Sequence, residues 1–315
     1  MRASVIIPAY NSADTIEDTL RALKEQTEKD FEVIVVDDGS IDGTRDVVEK
    51  YDVKLFRQDH MGPAAARNLG ARKATGEVVV FTDSDCVPQQ DWLKEMLNPM
   101  EEPGIVGVQG RYKTRQRELI ARFAQLEIEE RYQRMKKQEY IDFIGSYSAA
   151  YRRRVFLEVG GFDESFPMAS GEDPELSFRL AKQGYKMVFN DRAIVYHRHP
   201  ASLRDYLIKK FYRAYWRVAL YKRHTGKAVR DSYTPPSIKI QIALVYLFIV
   251  SVMTSPFTGL LPAQGILLAL LASTLPSSIR YFKKDRSVGL ASPAIILLRT
   301  AVFGFGLLYG AVRTL

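Results

Sequence analysis

Phe31-Glu32-Val33-Ile34-Val35-Val36-Asp37-Asp38-Gly39-Ser40 decides the fold. Six residues rich in β-branched and aromatic side chains read as a buried strand, and the polar tetrad that follows ends it. The same grammar extends in both directions. Ser4-Val5-Ile6-Ile7 is an earlier strand, and a helical pattern from Asp14 to Gln26 lies between the two. Downstream come a helix from Thr44, a strand from Val53 to Phe56, a helix from Ala64 to Ala74, a strand from Val78 to Phe81 and a helix from Asp91 to Met100. This alternation predicts an α/β fold with a Rossmann-like, mostly parallel sheet flanked by helices. Ligands of such sheets bind beyond the carboxyl ends of the strands. The residues expected there are polar: Tyr10-Asn11, Asp37-Asp38-Gly39-Ser40, Gln58-Asp59-His60 and Asp83-Ser84-Asp85.

Asp83 and Asp85, on either side of Ser84, end an apolar strand. Two carboxylates close together repel unless a cation neutralises them, and oxygen donors suit Mg²⁺ or Mn²⁺. Asp37 and Asp38 can accept hydrogen bonds from a base or a ribose, or form the turn that leads into the next helix. Arg67, one turn into a helix opened by Gly62-Pro63-Ala64-Ala65-Ala66, meets either a phosphate or base, or a strand-end aspartate. Gly171-Glu172-Asp173-Pro174 opens another helix, where Asp173 is either the N-cap or a general base. His197 and His199 follow the run Ala193-Ile194-Val195-Tyr196, so one of them is placed to complete a metal or diphosphate site.

From Ile238 onward nearly every residue is apolar or small, which sets a boundary between residues 1–232 and 237–315, with Tyr233-Thr234-Pro235-Pro236 at the junction. Three stretches, about 238–255, 262–279 and 288–312, approach the length of a membrane-crossing helix. Arg280, Lys283, Lys284 and Arg286 separate the last two, and the positive-inside rule puts that loop, and with it the N-terminal domain, in the cytosol. Met1-Arg2-Ala3-Ser4-Val5-Ile6-Ile7-Pro8 reads as a first strand rather than a signal peptide. Arg299 is costly in the third stretch, by about 3 kcal/mol or more at a helix centre; it faces the bundle interior or pairs with a lipid phosphate.

The net charge of +8 is concentrated between Arg198 and Arg230 and between Arg280 and Arg286, beside the apolar segments, which favours lipid head groups and phosphates over nucleic acid. Leu203 to Arg223 forms a basic amphipathic helix, spanning about 202–224, with Leu203, Leu207, Phe211, Ala214, Val218 and Tyr221 on its apolar stripe. Surface attachment is its expected role, with Lys209, Lys210 and Arg213 available to a diphosphate or lipid phosphate. A further helical pattern from Gln116 to Gln138 lies either on the domain or at the membrane surface. The single cysteine, Cys86, cannot form an internal disulfide and reads as a small buried apolar residue.

Val5-Ile6-Ile7-Pro8-Ala9-Tyr10-Asn11, Val35-Val36-Asp37-Asp38-Gly39-Ser40, Gly62 through Arg67-Asn68, Thr82-Asp83-Ser84-Asp85, Val159-Gly160-Gly161-Phe162-Asp163 and Gly171-Glu172-Asp173 occur in that order over residues 1 to about 200. Together they resemble glycosyltransferase family 2, the inverting family with the GT-A fold. The resemblance implies that Pro8, Tyr10 and Asp38 contact the nucleotide of a UDP- or GDP-sugar, with Asp37 close by and Arg67 helping to hold it. It also implies that Asp83 and Asp85 hold the ribose and the metal-bound diphosphate, and that Asp173 is the catalytic base. Processive relatives carry a Gln-x-x-Arg-Trp signature, whereas the comparable region here is Lys209-Lys210-Phe211-Tyr212-Arg213-Ala214-Tyr215-Trp216, so one sugar per encounter is expected. The Glu172-Asp173 pair favours a saccharide hydroxyl on a lipid carrier as acceptor; a polyprenyl or dolichyl phosphate, already anionic, is the alternative. A dinucleotide-dependent oxidoreductase is disfavoured, because no Gly-x-Gly-x-x-Gly follows the first strand.

Overall fold

The computed structural model describes residues 1–166, 171–229 and 234–313. Arg230 and Tyr233, read from the sequence as the end of the basic run and as part of the junction, lie outside the described residues. The chain forms two compact units: residues 1–115 with 132–198, and residues 116–131 with 199–315.

In the first unit the chain runs β1 (Ala3–Ala9), α1 (Ile16–Lys24), β2 (Phe31–Asp37), α2 (Thr44–Val48), β3 (Lys54–Arg57), α3 (Pro63–Lys73), β4 (Val78–Thr82), β5 (Cys86–Pro88), α4 (Trp92–Leu97) and β6 (Ile105–Lys113). After α5 (Leu119–Met135) come β7 (Ser148–Arg152), α6 (Arg153–Glu158), α7 (Glu172–Lys182) and β8 (Lys186–His197). The eight strands form one sheet in the order β3-β2-β1-β4-β7-β6-β8-β5. The half built from β1 to β4 is parallel, as the alternation predicts. The other half is mixed: β7 runs antiparallel to both β4 and β6, and β5 antiparallel to β8.

The strands are apolar because both faces are covered; Val5, Ile6, Ile7, Ile34, Val35, Val36 and Val78 to Phe81 are all fully buried. The parallel register aligns Ala9 with Asp37, so β1 and β2 end at one level and deliver Tyr10 and Asp38 together. On the far side, β8 bulges against β6: Gln109 pairs with Phe189 but Arg111 pairs with Ile194. The strand resumes after the bulge and brings His197 opposite Cys86.

The second unit joins α5 to α8 (Leu203–Arg223), α9 (Thr225–Val229), α10 (Pro236–Met253), α11 (Ser255–Thr258), α12 (Leu261–Lys284) and α13 (Arg286–Arg313). It therefore takes in residues 116–131 and resumes at His199, before the composition shift near residue 237. The reason is packing. Phe123 and Leu126 of α5, Tyr206 of α8, Tyr281 of α12 and Val288, Ile295 and Ile296 of α13 share one apolar cluster. Farther along α13, a side chain at Gly306 would stand 2.6 Å from the Phe211 carbonyl and one at Gly310 2.6 Å from the Tyr215 carbonyl, so glycine allows α8 to lie directly on α13. On the apolar stripe of α8, Ala214 is buried and Leu203, Leu207, Phe211, Val218 and Tyr221 are half-buried. The exposed face of α8 carries Ile208, Lys209, Tyr212 and Arg213.

Three helices, α10, α12 and α13, are long and apolar enough to cross a membrane. They expose large apolar side chains, among them Met253, Leu261, Leu290 and Val312. Arg299 of α13 is buried and donates to Glu127 Oε1 at 3.0 Å and to Gln241 Oε1 at 2.9 Å. It faces the bundle interior, and Glu127 takes the place expected for a lipid phosphate. Lys210 is likewise no surface cation: it is buried, with its Nζ 2.6 Å from Glu127 Oε2. Glu129 and Glu130 of α5 pair with Lys284 and Arg280, so two of the four basic residues read as a free loop are neutralised locally.

Candidate active site

Tyr10 stands half-exposed just past β1, and its ring stacks on His60 with centroids 4.0 Å apart. Asn11 adopts a positive φ of 47°, which asparagine tolerates. Its backbone N–H donates to Ser40 Oγ at 2.9 Å and its Oδ1 accepts from the Ile41 N–H at 3.0 Å, tying the ends of β1 and β2 together.

The adjacent aspartates divide their tasks. Asp37 Oδ1 accepts from the Ser40 N–H at 2.9 Å, the turn-forming alternative read from the sequence. Asp38 is buried; its Oδ1 accepts from Gln58 Nε2 at 2.7 Å and the Met61 N–H at 2.9 Å, and its Oδ2 from the Gly62 N–H at 2.9 Å. Asp38 therefore fastens the loop that leads into α3. Pro8 is half-buried at the end of β1.

Arg67 is the hub. It is 2% exposed, and its Nη2 donates to Asp83 Oδ1 at 2.8 Å while its Nη1 donates to Glu172 Oε1 at 3.2 Å. The salt-bridge reading of Arg67 thus holds, with Glu172 as a second partner. The neighbouring Asn68 grips the loop after α6: its Nδ2 donates to the Phe162 carbonyl at 2.8 Å and its Oδ1 accepts from the Phe162 N–H at 2.9 Å. This requires Gly161, at φ 67°, because a Cβ there would lie 2.4 Å from Asn68 Oδ1. The Phe162 ring lies 5.7 Å from the Arg67 guanidinium carbon, so the Gly-Gly-Phe motif braces the arginine.

Gly171, not Asp173, is the N-cap of α7. Asp173 sits within the first turn, where Ser146 Oγ donates to its Oδ2 at 3.3 Å. Its Oδ1 is buried and has no hydrogen-bond partner among the described residues. Burial, and then the Glu172 carboxylate beside it, push the Asp173 carboxyl up to about 7 against the pull of Arg67. A carboxyl with one unsatisfied oxygen and a pKa near neutrality has the properties of a proton acceptor.

Asp85 and His197 come together as expected, with Asp85 Oδ2 and His197 Nδ1 3.3 Å apart. The third member of the cluster is Cys86: donor atoms of Asp85, Cys86 and His197 all lie within 4.8 Å of one another. Asp83 turns instead to Arg67. Ser84 Oγ lies 2.8 Å from Ser12 Oγ, which steadies the loop between β4 and β5. The His197 ring stacks on Tyr112, and Tyr112 on Tyr147, so the imidazole is held flat. A carboxylate and an imidazole beside a second carboxylate suit a divalent cation. His199 belongs to the other unit, where its Nε2 lies 2.9 Å from Gln125 Oε1.

Sequence reasoning placed His60 at a strand end and Asn68 in a motif without giving either a role, and it missed Cys86 as a site residue. Cys86 follows Asp85 directly, and that adjacency was the available signal.

A half-parallel sheet with this strand order, carrying carboxylates beyond β2 and β4 and a further acid at the start of α7, is the GT-A fold of nucleotide-diphospho-sugar transferases. The Glycosyl transferase family 2 profile matches residues 4–160. The chain belongs to that family. It is 30% identical over 234 residues to the pre-mycofactocin glycosyltransferase of Mycobacterium tuberculosis, an alignment covering 71% of this chain and 48% of the relative. It is 29% identical over 224 residues to glycosyltransferase AglE of Haloferax volcanii, covering 67% and 70%. The chain thus spans about half the length of the first of these relatives. Among solved structures, the mannosyltransferase PcManGT from Pyrobaculum calidifontis, in complex with GDP-Man and Mn²⁺, superposes with a TM-score of 0.61 at 26% identity, covering 99% of this chain and 86% of that one.

Proposed function

We propose that this chain is an inverting glycosyltransferase that moves one sugar from a UDP- or GDP-sugar to a hydroxyl of a lipid-linked saccharide, using Mg²⁺ or Mn²⁺. The observation that carries the reading is Asp173, a raised carboxyl with a partnerless oxygen next to the Arg67–Asp83 pair. An anionic phosphate acceptor needs no base, whereas a hydroxyl does, so this carboxyl favours the saccharide. The Mn²⁺ and GDP-Man of PcManGT support a metal-assisted nucleotide-sugar donor.

Asp173 takes the proton of the acceptor hydroxyl as its oxygen forms a bond to the anomeric carbon. The bond from that carbon to the diphosphate oxygen breaks on the opposite face, and configuration inverts. Arg67 fixes Asp83 in place and balances the charge of Glu172. Tyr10 offers an exposed ring face to the base. A divalent cation at Asp85 and His197 would neutralise negative charge that develops on the leaving diphosphate.

The reading includes membrane anchoring through α10, α12 and α13, with the turn between α12 and α13 on the cytosolic side, where Lys283 and Arg286 lie. The exposed face of α8, with Lys209 and Arg213 beside Ile208 and Tyr212, meets the lipid head groups.

The test is transfer from radiolabelled UDP- and GDP-sugars into a membrane lipid extract by purified protein with Mn²⁺. Label is expected in an organic-soluble product from which mild acid frees a labelled saccharide of two or more units. Release of the labelled monosaccharide alone would identify a lipid phosphate acceptor. No donor consumption by folded protein would overturn the proposal.

A further inference from the structure

Ile144-Gly145-Ser146, the stretch that leads into β7, is fastened at three successive residues. The Ile144 N–H donates to Ser177 Oγ at 2.9 Å, and Ser177 Oγ donates to the Asp173 carbonyl at 2.7 Å, so the stretch is tied to the first turns of α7. The Gly145 N–H donates to Gln109 Oε1, and Gln109, fully buried on β6, returns its Nε2 to the Ser148 carbonyl at 3.2 Å. Ser146 is 3% exposed, and its Oγ donates to Asp173 Oδ2 at 3.3 Å. That distance is long for an O–H···O bond, as bonds to a catalytic acid often are before substrate arrives. Among the described residues, Ser146 supplies the hydrogen bond that this carboxyl receives.

The two oxygens of Asp173 are unlike. Asp173 is half-buried, but its Oδ1 is covered, so the carboxyl opens outward on the side of Oδ2. The last torsion of an aspartate is broad and two-fold, so nothing within the side chain keeps the same oxygen outward. We propose that Ser146 is the positioning residue of the catalytic base: its hydroxyl holds Asp173 Oδ2 toward the acceptor hydroxyl, whose proton passes to that oxygen. The assignment rests on the general-base reading of Asp173. A carboxylate oxygen has two lone pairs, so Oδ2 can accept from Ser146 and still take the proton as the acceptor oxygen bonds to the anomeric carbon. Several other groups face the carboxyl. Burial and then Glu172 raise its pKa, Asp83 adds to them, and Arg67 and the Ser146 backbone lower it, with the buried Tyr151 hydroxyl also near. A hydrogen bond to the ionised form favours that form, so the Ser146 hydroxyl keeps the base from rising further above neutrality.

Transfer from radiolabelled UDP- and GDP-sugars into a membrane lipid extract by the purified protein in detergent, followed against pH, tests it. Ser146→Ala is expected to move the acidic limb of kcat/KM up by about one pH unit, the scale of a lost hydrogen bond to a charged group. The plateau above the limb should fall about 10- to 100-fold, the cost of a misplaced reacting group, with donor KM unchanged. Ser146→Thr keeps the hydroxyl and should keep the limb in place. Ser146→Cys fills the position with only a weak donor, so it should move the limb as alanine does, and it serves if the alanine variant fails to fold. A limb left in place by both Ala and Cys, whatever the loss of rate, would mark Ser146 as structural and overturn the assignment; so would a limb that Thr moves as far as Ala. Asp173→Asn separates the two claims. A limb that survives Asp173→Asn refutes the general-base reading itself, whereas a limb abolished by Asp173→Asn but indifferent to Ser146→Ala refutes Ser146 alone.

Discussion

Arg299 Nη1 donates to Glu127 Oε1 at 3.0 Å, joining α13 to α5 across 172 residues of chain. Glu127 also receives Lys210 at 2.6 Å and the Tyr206 hydroxyl at 3.0 Å, and Arg131 lies 3.6 Å away. One buried carboxylate therefore faces three cations. Burial alone would raise its pKa, but Lys210, Arg299 and Arg131 outweigh burial and hold the carboxyl well below the usual carboxylate range.

Glu127→Gln is expected to destabilise the helical unit by about 3–5 kcal/mol, because it leaves buried cations without a counter-charge. Thermal unfolding in detergent checks this, and Arg299→Met should cost less, since Glu127 keeps Lys210 and Arg131. A depressed pKa means the contribution is complete above the unfolded value near 4.5 and is lost as pH falls below it. The Glu127→Gln protein should therefore lose less stability on acidification than the unsubstituted one.

Asp173→Asn is expected to keep donor affinity and to lower transfer by roughly 10²- to 10⁴-fold, the range of a general base. The ionised form is the active one, so kcat/KM should rise with pH through about 7 and this limb should vanish in the variant. The raised pKa has the opposite effect on folding: the native state holds an extra proton between the ordinary value of 3.8 and about 7, so stability falls as pH rises through that window. Asp173→Asn should flatten this loss, which unfolding curves at several pH values will show.

Arg67→Lys retains the charge but not the fork. A single ammonium cannot reproduce the two separate bonds to Asp83 and Glu172, so one buried carboxylate loses its partner. We expect a loss on the order of 3 kcal/mol in stability and a higher donor KM, measured by unfolding without ligand and by nucleotide-sugar titration.

Gly161→Ala adds a methyl that meets Asn68 Oδ1 at a backbone angle alanine seldom adopts. A cost of about 1–3 kcal/mol is expected from strain, and more if Asn68 is displaced. Because Asn68 neighbours Arg67, donor affinity should fall together with the unfolding temperature.

The parallel half of the sheet was legible because strand and helix periods alternate cleanly from Ser4 to Phe81. The strand-end acids were legible for the same reason. The antiparallel β7 was not: Ser148–Arg152 is five residues long, and pairing with β4 leaves no periodic trace. Lys210 looked like one more cation on a basic helix because its partner, Glu127, lies 83 residues earlier. The same separation hid the membership of α5 in the helical unit. Cys86 looked inert because what surrounds it depends on β8, whose last residue is 111 positions away.

The β8 bulge has an evolutionary and engineering consequence. Between Gln109 and Arg111 one residue intervenes, but between their partners Phe189 and Ile194 there are four. The odd surplus reverses the up-down phase of the strand, and it is this reversal that turns the imidazole at position 197 toward its two companions. Deleting one residue from 190–193 would point that ring to the opposite face while leaving every ligand in the sequence. Homologues should therefore be compared by the length of this insert before they are compared by their histidines.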